Sequence, residues 1–121
     1  MSKIVSVINA MISNPGNISQ ARVGGHEFFF CYKEKYRWSI SHQKVNDSYS
    51  LYFYPGNRDI DDLINICTGP EWESLEMVNY STTEIGTVEA FQSFYELYNV
   101  VQEKVFGIDS AFDDILSDMD I

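Results

Sequence analysis

The stretch "HEFFFCYKEKYRWSISH", residues 26–42, limits the fold more than any other part of the chain. Its second half alternates, with Tyr36, Trp38, Ile40 and His42 on one side of an extended backbone and Arg37, Ser39, Ser41 and Gln43 on the other. Successive side chains of a strand point to opposite faces, so this two-residue period predicts a half-buried strand. Folding back at "KEK" (33–35) sets Tyr32 opposite Tyr36, Phe30 opposite Trp38, Phe28 opposite Ile40 and His26 opposite His42. One face of the hairpin 26–42 becomes a ladder of aromatic side chains. The loop holds neither Gly nor Asn, which a tight primed turn favours, so the register rests on the side-chain pattern.

The remaining elements follow from spacing. Ile4, Val5, Ile8, Met11 and Ile12 recur at helical intervals, predicting an N-terminal helix over 3–13 that stops at "NPGN". A further strand, 49–54, turns Tyr49, Leu51 and Phe53 to one side, and another is expected at 75–80 within "SLEMVNYST". Between them, "RDIDDLINIC" carries Ile60, Leu63, Ile64 and Cys67 at helical spacing behind acids that suit a helix N-terminus. A long helix, 87–106, runs from Thr87 as N-cap to Gly107 as terminator, with Phe91, Phe94, Tyr98, Val101 and Val105 along one stripe and Glu89, Glu96 and Glu103 opposite. A short acidic helix from Asp109 ends the chain. At 121 residues without repeat or linker, residues 1–121 read as a single α+β domain. Its antiparallel sheet has about four strands with helices on one face.

Charge is divided along the sequence. Residues 1–58 hold seven basic against three acidic residues, whereas the remainder holds only Lys104 against fifteen acids, within a net charge of −10. Such asymmetry points to charged partners or head-to-tail self-association. Cys31 and Cys67 lack the close spacing of a redox or zinc pair, and the N-terminal apolar run is interrupted at Ser6 and Asn9 with no small-residue cleavage site after it. The expectation is a cytoplasmic protein with reduced thiols and no membrane span.

No motif supports catalysis. Asn57, Asp59 and Asp61 open like a calcium loop, but Asp62 replaces the turn glycine and Thr68 the bidentate glutamate, so no metal is expected there. His26 and His42 would meet across the hairpin end, yet two ligands do not make a site, and Cys31 has the opposite strand parity from His26. Both cysteines sit in apolar runs as small core residues, and neither a nucleophile elbow nor a phosphate loop occurs. The reading is therefore non-enzymatic and without cofactor. Lys33, Lys35 and Arg37 among Tyr32, Tyr36 and Trp38 make a basic-aromatic edge, but the rings share the core parity and the overall charge opposes a polyanion, so no direct nucleic-acid binding is expected.

The closing "AFDDILSDMDI" spaces Phe112, Ile115, Leu116 and Met119 as i, i+3, i+4 and i+7 among aspartates. That stripe suits either the chain's own sheet or a partner's groove, and its apolar area favours self-docking with the charges left outside. Glu89, Glu96, Glu103, Asp113, Asp114 and Asp118 then form the expected partner-binding surface. It would occupy the basic groove of a nucleic-acid-binding protein, as small acidic inhibitors of the anti-CRISPR, anti-restriction and immunity types from phages and mobile elements do. A homo-oligomeric adaptor joining basic hairpin to acidic helix is the alternative, and a small enzyme or anion-binding protein the third.

Overall fold

In the computed structural model, which describes residues 2–120, the elements follow as α1 (Lys3–Ser13), β1 (Ile18–Gly24), β2 (Glu27–Tyr32), β3 (Tyr36–Gln43), β4 (Ser48–Tyr54), α2 (Ile60–Cys67), β5 (Val78–Ser81), α3 (Thr82–Ile85), α4 (Val88–Phe106) and α5 (Ile108–Leu116). A short 3-10 segment, Ser117–Asp120, continues α5. The strands form one antiparallel sheet in the order β1-β2-β3-β4-β5, each beside its sequence neighbour.

The hairpin register is the one its side chains dictate: Tyr32 faces Tyr36, Phe30 faces Trp38 and Phe28 faces Ile40. Lys33 and Glu34 both take left-handed backbone, φ 56° and 57°, to close a turn that lacks the usual glycine. The ladder stops at Phe28 and Ile40, so the expected pairing of His26 with His42 is not formed. His26 lies exposed in the turn between β1 and β2.

The sheet has five strands, one more than sequence alternation revealed. In β1 the register shifts between Ser19 and Arg22, and Gln20 adopts φ 54°. An inserted residue of this kind breaks the two-residue period by which a strand is recognised. At the other edge, β5 begins only at Val78, later than the 75–80 expected, because Leu75 and Met77 pack beside α2 instead.

Helices cover both faces of the sheet, not one. Phe28, Phe30, Trp38, Ile40, Tyr49 and Leu51 meet Ile4, Ile8 and Met11 of α1 and Phe94, Leu97 and Val101 of α4. On the opposite face, Phe29, Cys31 and Tyr54 pack against Ile60 and Leu63 of α2. The unbroken apolar run of β2 is the physical sign of this, since a strand buried on both sides cannot alternate. The buried row of α4 is Ala90, Phe94, Leu97 and Val101, with Phe91, Tyr98 and Val105 half-buried at its border. Thr87 Oγ1 accepts the Ala90 N–H at 3.1 Å, and Ser93 Oγ donates to Asn9 Oδ1 at 2.7 Å, joining α4 to α1.

The expected self-docking of the C-terminal stripe does not occur. Phe112, Ile115, Leu116 and Met119 are 58%, 63%, 57% and 79% exposed. Gly107, at φ 63°, ends α4 and starts α5 in a new direction. With one sheet face under α1 and α4 and the other under α2, α5 is left without apolar cover.

Candidate functional site

An isolated apolar helix face is expensive in water, and α5 keeps one. Phe112, Ile115 and Leu116 of α5 and Met119 of the 3-10 turn that continues it lie on one stripe, with Asp113, Asp114 and Asp118 all exposed around them. The acids of α4 are also exposed: Glu89, Glu96 and Glu103 recur every seventh residue, so they line one slowly drifting stripe. Glu89 and Glu103 lie about 21 Å apart along the helix at 1.5 Å per residue. Only Glu103 of the three approaches α5, where it borders a small cleft with Lys104, Gly107 and Ser110. The six acids are therefore a line and a separate helix, not one compact patch.

The basic-aromatic edge divides in a different way. Arg37 is tied to the backbone, its Nε donating to the Arg58 carbonyl at 2.8 Å and its Nη1 to the Lys35 carbonyl at 2.7 Å. Lys33 and Lys35 remain exposed, with Nζ 6.0 Å from the Tyr32 ring centre and 5.8 Å from the Tyr36 ring centre. Beside them opens a groove of about 920 Å³ between α1 and the sheet end, bordered by Met11, Tyr36, Trp38, Phe53 and Tyr80. Lys3 and Lys33 also line it, and among the described residues no acidic one does. Trp38 is 8% exposed and its indole N–H has no partner among the described residues. The alternation puts Tyr36 and Trp38 on the core face; Trp38 is buried there, Tyr36 is exposed, and the groove beside them is not visible in the sequence. Its one trace there is the shortness of α1, whose eleven residues reach only about 16 Å.

A buried polar chain crosses the second face. Ser39 Oγ donates to Glu27 Oε1 at 2.6 Å. Because a hydroxyl has one proton to give, the Tyr54 hydroxyl must donate to Ser39 Oγ across 2.7 Å. The Cys67 thiol in turn donates to the Tyr54 oxygen at 3.8 Å. Burial raises the Glu27 carboxyl pKa, the Ser39 bond only partly opposing it. Burial, with the Glu27 charge adding to it, raises the Tyr54 phenol far more. Cys31 and Cys67 are raised as well, chiefly by burial, which leaves both as protonated thiols of low nucleophilicity at neutral pH. Ser39 and Tyr54, at 0% and 2% exposure, are sealed from any substrate.

His42 is fixed by a 2.8 Å contact to Asp47 Oδ1 and by stacking on Tyr49, 4.5 Å between ring centres. Asp61, from the calcium-like stretch, instead pairs with Arg22 at 3.2 Å. Among the described residues, no group of three or more His, Cys, Asp or Glu lies together as metal ligands. None of the described helices is long and apolar enough to cross a membrane. No protein-family model, curated protein or solved structure matches the chain.

Proposed function

We propose that this chain is a non-enzymatic protein-interaction module whose binding element is α5. The observation that carries the reading is the simultaneous exposure of Phe112, Ile115, Leu116 and Met119 on one helical stripe. Large apolar patches left open on small domains are typically interaction sites, and anchors at i, i+3, i+4 and i+7 are how an amphipathic helix engages a groove. The partner is then a protein with an apolar groove and lysine or arginine on its rim. Asp113, Asp114 and Asp118 supply rim contacts, while Glu89, Glu96 and Glu103 add long-range attraction. A groove that otherwise holds nucleic acid is one source of such a rim. The free cysteines are in keeping with a reducing compartment, which supports a cytoplasmic partner.

Affinity capture with the whole chain, compared with its Phe112→Ser/Leu116→Ser variant at low and high salt, tests this reading. The variant should fold like the parent and lose the captured protein, and the parent's capture should weaken as salt rises. Equal capture by both baits would overturn the assignment of α5.

A further inference from the structure

We propose that the groove between α1 and the sheet end is the seat for α5 of a second copy, so that copies of this chain associate head to tail. The inference rests on the reading of α5 as a docking helix and names its partner. The two surfaces are complementary in polarity and charge. The groove has an aromatic and aliphatic floor that includes Trp38, Phe53 and Tyr80, carries Lys3 and Lys33, and among the described residues includes no acid, in a chain of net charge −10. The N-terminal end of α1 adds partial positive charge beside Lys3. On α5 the apolar stripe is flanked by Asp113, Asp114 and Asp118, and no basic residue follows Lys104.

The lengths also agree. The groove follows α1 from Lys3 to Met11, about 12 Å at the helical rise. The stripe from Phe112 to Met119 runs about 10–12 Å, allowing for the looser rise of its 3-10 end. Hook and groove are different surfaces of one copy, so the contact is heterologous and leaves one of each unfilled at the ends of an assembly.

Sedimentation of the purified full chain over a concentration series is the test, with two variants. Phe112→Ser/Leu116→Ser removes the hook and keeps the groove; Ala10→Glu/Lys33→Glu, at two residues that line the groove, places acid in it and keeps the hook. The parent should gain mass with concentration, less so at high salt. Each variant alone should weaken association by about tenfold or more. An equimolar mixture of the two should recover a dimer, because one intact hook meets one intact groove. Circular dichroism melts establish that both variants fold, and Lys3→Glu/Lys33→Glu replaces the groove variant if it does not. A parent that stays monomeric at millimolar concentration overturns the proposal, and capture that still depends on Phe112 and Leu116 would then leave the docking-helix reading standing. A folded mixture that fails to dimerise, or association indifferent to both variants, overturns it as well.

Discussion

A Cβ added at Gly24 would lie 2.6 Å from Cε1 of Phe29, a ring with no exposure to solvent. Gly24→Ala must therefore displace a packed aromatic side chain, and overpacking of this kind costs about 1–3 kcal/mol; denaturant melts should show the loss. The opposite change is available at the β2–β3 turn. Lys33 and Glu34 hold left-handed backbone that L side chains resist, so Lys33→Asn with Glu34→Gly should stabilise by about 1 kcal/mol. In a domain of this size that is about 3–5 °C in melting temperature. No change would mean that loss of the Lys33–Tyr32 contact offsets the relieved strain. Glu27 gives a pH test. Its carboxyl holds a proton more tightly folded than unfolded, so folding takes up a proton. Stability is lost as pH rises from the unfolded value of about 4.3 through the folded one. Glu27→Gln keeps an acceptor for Ser39 and removes the buried charge. It should melt above the parent at pH 7, and the two should converge as pH falls toward about 4.3; coincident melts at pH 7 would disprove the effect.

Among the elements, α1, the β2–β3 hairpin and α4 were legible because each carries its own period and its own stop signal, Asn14-Pro15-Gly16 and Gly107 among them. β1 was not, since its bulge at Gln20 cancels the alternation that marks a strand. The placement of α2 across the second face was half legible in the apolar run Phe28 to Tyr32. The C-terminal helix shows where spacing stops informing: the stripe of α5 has a core helix's pattern, and only the prior occupation of both sheet faces leaves it exposed. The candidate site was thus visible as residues but not as a surface, and the groove, built from six separate segments, was not visible at all. If α5 contributes nothing to the core, ending the chain after Gly107 should leave the melting temperature of the dilute protein within about 2 °C of the parent, surface changes being worth about 0.5 kcal/mol or less. A drop of 5 °C or more would show that α5 docks on its own domain in solution.

For the whole molecule, charge is a cost to folding that the ion pairs do little to offset. The half from residue 59 onward carries fifteen acids and one lysine. Among the described residues the contacts that set a basic side chain against an acid are Arg22 with Asp61 at 3.2 Å and His42 with Asp47 at 2.8 Å. In the first pair both side chains are about half-exposed or more, 48% and 65%, so screening leaves it worth little. Compact folding meanwhile brings the acids of α2, α4 and α5 closer together than they lie in the unfolded chain, and their mutual repulsion opposes the native state. Salt screens that repulsion, the Debye length falling from about 30 Å at 0.01 M to about 10 Å at 0.1 M. Added sodium chloride should therefore raise the melting temperature, most of the gain coming below ~0.1 M. Measured at a concentration low enough to keep the chain monomeric, the rise belongs to folding rather than to association. Neutralising Glu96 and Glu103 together to Gln should reduce the salt dependence without lowering stability, since both are exposed and, unlike Glu89, neither lies in the first turn of α4 where a negative charge favours the helix. A melting temperature that falls with salt would reverse the argument, because attraction between the basic first half and the acidic second half would then outweigh repulsion within the second.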